Sequence, residues 1–175
     1  METQKTKTKR IIENHTYQRM SQLDCTQCLA LTNKKIRCKN RTCIYARFCS
    51  THARKLLNLT LKKSGIPKAG RGLFTTKVLK KGDKLVKYEG TIIPQDEYNE
   101  NPSMYGVGIP HNYVLDAKST QSSLARYIND CRAANKRSKH CKGTNARFSF
   151  NTKHGNTTVW IVATKTIKAN TEIFV

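Results

Sequence analysis

The chain has 175 residues, enough for one ordinary domain with a small appendage. Its 33 Lys+Arg against 11 Asp+Glu give a formal net charge of +22, far more than solubility requires, so a polyanionic partner such as DNA, RNA or a nucleoprotein is expected. No apolar run approaches the ~18–20 residues that span a bilayer, and "METQKTKTKR" has no apolar stretch behind its charges, which argues against a membrane span and a secretory signal. The expected compartment is therefore reducing, where the seven cysteines would be metal ligands or free thiols rather than disulfides.

Residues 1–24 are polar and basic without a clear period, and are expected to form a disordered basic arm. Residues 25–53 concentrate the cysteines in the order Cys25, Cys28, Cys38, Cys43 and Cys49, followed by His52. This piece has too few apolar residues to order itself by burial. A tetrahedral zinc site contributes on the order of 10 kcal/mol and would order it. Cys49 and His52, with two residues between them, form a good ligand pair; which of the other cysteines join them stays open on spacing alone.

Next, "ARKLLNLTLKKSG" reads as a linker or short helix over 54–63, ended by Gly65 and Pro67. From 64 to 175 the texture changes to short runs rich in Val, Ile, Phe, Tyr and Thr: "GLFTT", "KLVKYEG", "YVLDA", "ARFSF", "TTVWIVAT" and "EIFV". These predict a mostly β domain of many short strands, with turns at "KKGD", "HGNT" and "KANT". "SLARYINDC" ends an apolar stretch on Asn129 and Asp130. It is either a plain turn or a place where a side-chain amide is held to meet a ligand.

Two resemblances sharpen this reading. "QCLALTNKKIRCKNRTCIYARFCSTH" resembles a small zinc-binding module of pattern QC-x-A-x-T-x4-RCKN…YC-x2-H, found in several eukaryotic and large-virus proteins. Matched residue by residue, it selects Cys28, Cys38, Cys49 and His52 as ligands of a structural zinc. Cys25 and Cys43 are left over, as free thiols, alternative ligands or part of an incomplete second site.

The three segments "GRGLF…KKGDKLVKYEG", "YVLDA…ARYIN" and "NARF…VWIVATKTIKANTEI", in that order, closely resemble a SET domain, the fold of most protein-lysine methyltransferases. The resemblance spans residues 64–175 and implies a SET-type fold of several short sheets. The implied activity is methyl transfer from S-adenosylmethionine to a protein lysine, with histones or another chromatin protein as substrate class. It places cofactor contacts on Gly70, Arg71, Gly72 and Leu73 through the backbone, on Asn129 and Asp130, and on Asn145. Arg126 would support the loop or pair with the cofactor carboxylate. A fixed amide at 129 could accept from the cofactor's ammonium and donate to its carboxylate. Tyr105 is the candidate for a wall of the lysine channel and the catalytic residue; Tyr127 is expected in the core and Asp116 in a structural role.

Departures from the family pattern carry expectations of their own. The family's NHSCxPN here reads "NDC", with an insertion holding Arg132, Lys136, Arg137, Lys139 and Lys142, a candidate polyanion contact. His140 and Cys141 within it are not expected to bind metal, and Ala146 stands where a cysteine would serve a further zinc. "TEIFV" is expected as the last strand, with the family's following tyrosine segment missing. The loop around Asn129 would then be poorly constrained and activity doubtful. The alternative function is a catalytically inactive SET-fold adaptor that binds chromatin or nucleic acid. Nuclear localisation follows from substrate class and charge, with the cytoplasm the other possibility; no membrane association is expected.

Overall fold

A computed structural model describes residues 25–132 and 143–175. The basic arm expected over 1–24, and Lys136, Arg137, Lys139, His140, Cys141 and Lys142 of the insertion, lie outside the described residues.

Among the described residues, ten short strands pair antiparallel in four small sheets. Strands β1 (Thr26–Gln27) and β2 (Arg41–Thr42) form a two-residue ladder in the cysteine-rich part. A helical turn, Ser50–His52, continues into a π-helical turn, Ala53–Leu57, which stops at Asn58 with left-handed backbone. Then β3 (Leu59–Lys63) pairs with β4 (Arg71–Thr75). Strand β5 (Lys84–Tyr88) joins the long hairpin of β9 (Ala146–Lys153) and β10 (Asn156–Ala163) in the order β5-β10-β9. The third larger element is β6 (Thr91–Pro94), β7 (Gly106–Ile109) and β8 (Tyr113–Asp116), in the order β6-β8-β7, with the short helix Gln95–Glu100 leading out of β6. A 3-10 turn, Leu124–Tyr127, precedes Asn129 and is capped by the Ser123 hydroxyl, which accepts from Ala125 N.

The mostly β architecture of short sheets agrees with the sequence reading. One boundary is corrected. The segment 54–63, expected as linker or short helix, is half helical turn and half strand. "LTLKK" alternates, with Leu59 and Leu61 buried and Lys62 and Lys63 exposed, which is the period of a strand with one covered face. Strands β6 and β7 were not expected either: "TIIP" ends on proline and "GVGI" carries two glycines, both weak strand signals. The β9–β10 hairpin was foreshadowed by "HGNT". His154 and Gly155 both have positive φ, 48° and 77°, as a two-residue turn that matches strand twist requires.

Among the described residues, a shared buried cluster joins the cysteine-rich part to the β body. Leu59, Leu61, Leu73, Tyr88, Leu115, Leu124, Tyr127, Val159, Ile161, Ile173 and Val175 are buried together, and Ile44, Tyr45 and Phe48 of the cysteine-rich part pack against them. The Tyr45 hydroxyl sits 3.2 Å from Leu61 N, the Gln121 side-chain amide donates to Thr42 O and Arg47 pairs with Glu89, so the small module is pinned to the β body by side-chain contacts. Among the described residues no helix is long and apolar enough to cross a membrane.

Candidate functional site: a metal cluster and a cofactor cavity

The cysteine-rich part holds a compact donor set. The ligand atoms of Cys28, Cys38, Cys49 and His52 all lie within 4.8 Å of one another. His52 Nδ1 is 3.3 Å from Cys49 Sγ and 3.6 Å from Cys28 Sγ. A tetrahedral zinc with bonds of about 2.0–2.3 Å needs donors roughly 3.5–3.8 Å apart. Three buried thiols and one imidazole at these distances fit a closed structural zinc site. Cys49 N also donates to Cys28 Sγ at 3.2 Å, and the Asn40 amide to Cys49 Sγ at 3.7 Å, the kind of outer hydrogen bonds that hold thiolates. Burial by itself pushes the Cys49 thiol up, but hydrogen bonds from His52, Asn40 and Cys28 outweigh it and lower it to about 6. Asn40 N–H lowers Cys38, yet burial and the neighbouring Cys28 and Cys49 leave it raised.

The two leftover cysteines need a correction. Cys25 and Cys43 are joined in a disulfide, not left as thiols or spare ligands. The reason is register: β1 and β2 set Thr26 opposite Thr42, so the residues just outside, 25 and 43, face each other. Cys131 is also disulfide-bonded, so the expectation of thiols and ligands alone holds only for Cys28, Cys38 and Cys49 among the described residues.

The second site is a cavity of about 310 Å3, within the range of small-ligand pockets. Tyr88, Tyr105, Tyr127 and Phe148 give it aromatic walls, and Arg71, Arg126, Asn129, Asp130 and Arg132 give it polar ones. Tyr88 and Phe148 meet edge to face at 5.4 Å between centroids. The Arg126 guanidinium lies 4.0 Å from the Tyr105 ring centroid. Its Nε donates to Ala117 O at 2.8 Å and a terminal nitrogen to Lys118 O at 3.1 Å. These two bonds tie the Arg126 side chain to the backbone of residues 117–118. Tyr105 is held through its backbone carbonyl, which accepts from the Tyr88 hydroxyl at 2.7 Å and from Ala117 N at 3.1 Å. Burial raises both Tyr88 and Tyr127 above the ordinary tyrosine value, so both phenols stay neutral at physiological pH. Tyr127 is in the core, as expected, and also reaches the cavity. Asp116 is buried and accepts from the Ser103 hydroxyl at 2.5 Å, a structural role.

Asn129 is fixed by hydrogen bonds within the protein. Its amide nitrogen donates to Ser64 Oγ, Arg71 O and Glu172 Oε1 at 3.0–3.2 Å. The donor end is engaged inside the protein, leaving the carbonyl oxygen as the end that can accept from a ligand. Asp130 is exposed and its carboxylate accepts from Arg132 N at 2.7 Å. The GRGL stretch, expected to meet the cofactor through its backbone, borders the cavity at one residue. Gly70, Gly72 and Leu73 do not line the cavity; Arg71 does, and its Nε is buried without a hydrogen-bond partner. Asn145 is placed elsewhere as well. It donates to Glu172 O and accepts from Phe174 N, clamping the segment after β10, and does not line the cavity.

That segment also corrects the expectation of a loose loop at 129. Residues 172–175 form no ladder strand. They lie between three others: Ile173 N donates to Leu73 O, Val175 N to Asn129 O, Cys131 N to Val175 O, and Ala146 N to Phe174 O. Asn129 and Phe174 form a parallel bridge. Sequence reasoning missed Glu172 as a site residue. Its buried carboxylate accepts from Ser64 Oγ at 2.7 Å, Gly65 N at 2.8 Å and the Asn129 amide. A glutamate in "TEIFV" gives no local signal of this; the glycine at 72, which must leave room for it, is the only sequence trace.

Comparison with known proteins bears on the second site and on the fold. No curated protein matches the chain. Among solved structures, the polycomb repressive complex 2 of Chaetomium thermophilum is similar over 66% of this chain and 15% of that one, with 22% identity and a TM-score of 0.53. A ctPRC2 structure in an autoinhibited conformation bound to S-adenosylmethionine gives 23% identity over 66% and 14% of the two chains, TM-score 0.53. An active polycomb repressive complex 2 in the basal state gives 23% identity over 74% and 17%, TM-score 0.55. The chain thus spans under a fifth of the length of these relatives, and the likeness is one of fold. The SET domain family matches residues 70–175, well over half of the chain, from the strand that carries Arg71 to the segment that clamps Asn129. The chain belongs to the SET-domain family.

Proposed function

We propose that the protein is an S-adenosylmethionine-dependent protein-lysine methyltransferase that acts on histones or another chromatin protein, in the nucleus. The observation that carries the reading is the aromatic-walled cavity with a cation, Arg71, and an oriented acceptor, Asn129, on its rim. The cofactor's amino-acid end has a carboxylate and an ammonium. Arg71, with a buried Nε that has no partner, suits the carboxylate. Asn129 Oδ1, its amide turned inward by Glu172 and Ser64, suits the ammonium. Asp130 and Arg132 close the rim beside it.

When bound, the cofactor supplies an electrophilic methyl group on a sulfonium. The chain's own residues do the rest by position. The substrate amine must be neutral to react, and its ordinary pKa near ~10.4 falls in an apolar, water-poor channel. Tyr105 is the channel wall, steadied by Arg126 across its face and by Tyr88 at its carbonyl. The raised Tyr88 and Tyr127 are too weakly acidic to act as bases near neutrality, so the lysine proton leaves to solvent and alignment carries the rate. The Cys28, Cys38, Cys49 and His52 set would hold a structural zinc that orders the small module against the core. Nucleic-acid contact through the basic surface belongs to the same reading, in keeping with a net charge of +22.

The test is calorimetric binding of S-adenosylmethionine, followed by transfer of labelled methyl to histone octamers with mass-spectrometric assignment of the modified residue. Cofactor binding with label on lysine is expected. Absence of cofactor binding would overturn the proposal. Binding without transfer to any chromatin protein would favour the inactive adaptor.

A further inference from the structure

The outer face of the β5-β10-β9 sheet gathers cations around Trp160, the chain's single tryptophan. Trp160 stands opposite Lys87 on β5 and Ser149 on β9. Val162, two residues on and therefore on the same face, stands opposite Lys84 and the exposed Arg147. Lys84 and Lys87 are three residues apart and would point to opposite faces of an unbroken strand. The register shift between Ile161 and Val162 absorbs the odd residue. Both ammonium groups consequently lie over one indole, with Nζ 5.5 and 5.8 Å from the ring centroid.

Glu89 lines the same cavity as Trp160 and Lys87, and its carboxylate is paired with Arg47 at 3.6 Å rather than with either lysine. Among the described residues, the two ion pairs are Arg47 with Glu89 and Arg132 with Asp130. Asp116 and Glu172 are buried. Asp96, Glu97 and Glu100 ride on the helix beside the other three-stranded sheet. Asp83, next to Lys84 in sequence, is turned to accept from Lys80 N at 2.8 Å. Like charges are thus held together, steadied by cation–π attraction of about 0.5–1 kcal/mol each at an exposed site.

We propose that this face binds nucleic acid, with phosphates against Lys84, Lys87 and Arg147 and the Trp160 indole against a base or sugar. An acidic protein segment would satisfy the cations but leave the aromatic surface without a use; nucleic acid uses both. The proposal rests on the nucleic-acid part of the function above and is independent of methyl transfer.

Because Trp160 is the single tryptophan, its emission reports on this face alone. Titration of the full chain with a 20-nucleotide single strand and with the matching duplex should change that emission saturably. Three engaged phosphates should contribute about −2 to −3 to the slope of log K against log salt. Lys84→Glu/Lys87→Glu should lower affinity at least ten-fold and flatten the slope by about two, with an unchanged unfolding midpoint showing an intact fold. Binding that leaves Trp160 emission and the double variant's affinity unchanged would overturn this face while sparing nucleic-acid binding elsewhere on the chain. No binding at all would overturn both. An equal emission change with poly-L-glutamate, equally lost in the double variant, would make the surface one for acidic protein and overturn the proposal.

Discussion

The Glu172 carboxylate occupies the space that a side chain at position 72 would need: a Cβ on Gly72 would overlap Oε1 of Glu172. Gly72 is a glycine because a buried acid lies against its backbone. That acid in turn holds Ser64, Gly65 N and the Asn129 amide. Gly72→Ala should displace the carboxylate and destabilise the protein by about 1–3 kcal/mol, the usual cost of overpacking. Cofactor binding should weaken with it, since Asn129 loses its orientation. Denaturant midpoints and calorimetry on the same samples measure both; a variant with unchanged stability and binding would show that the carboxylate relocates freely.

Arg71 and Asn129 should separate by ligand chemistry. Arg71→Met removes the cation assigned to the cofactor carboxylate. It should weaken S-adenosylmethionine by about 1–3 kcal/mol, the worth of a charged hydrogen bond, and leave the decarboxylated analogue nearly unaffected. Asn129→Ala should weaken both, because the ammonium is common to them. Equal losses on the two ligands for Arg71→Met would place that side chain away from the carboxylate.

One zinc per chain is expected, held by Cys28, Cys38, Cys49 and His52. Cys49→Ala should abolish it, and acid should release it, because the ligands bind metal only when deprotonated. Elemental analysis of protein purified without chelator gives the stoichiometry. A metal-free protein that keeps its melting temperature would show that the module needs no ion.

The buried tyrosines predict an alkaline limit to stability. Burial raises Tyr88 and Tyr127 above the ordinary value of 10.0, so the folded state favours the neutral phenols. Their contribution is fully present below the unfolded value and is lost as pH rises past it toward the raised folded values. Urea midpoints should fall from about pH 10 upward, and Tyr88→Phe/Tyr127→Phe should soften that fall. An identical decline in the double variant would put the titrating groups elsewhere.

What the sequence revealed, and what it hid, follows from range. Spacing alone pointed to Cys49 and His52; the resemblance to a zinc-binding module added Cys28 and Cys38, and the four donors do come together. Asn129 stood out because a family pattern surrounds it, and it borders the cavity. Glu172, and the clamping role of Asn145, were not legible, since their partners are set by how distant segments cross. The Cys25–Cys43 disulfide escaped for a related reason: a two-residue ladder too short to predict sets the register that brings the two together. Strand β3 was hidden by the helix-favouring "ARKLL" that runs into it. Tertiary pairing with β4 decides the matter in favour of strand.

The packing of residues 172–175 between 71–73, 129–131 and 145–146 also sets an order of events. Glu172 reaches Ser64 across 108 positions of chain, whereas Cys28 reaches His52 across 24. Contacts of long separation form slowly, because the entropy of closing the loop comes before any reward. The cysteine-rich part closes over short separations, whereas the Asn129 amide gains its Glu172 partner only when segments 43 positions apart meet. The contacts of Glu172 are therefore expected to form later in folding than those of the cysteine-rich part, and hydrogen exchange during refolding would show protection at residues 28–52 before residues 172–175.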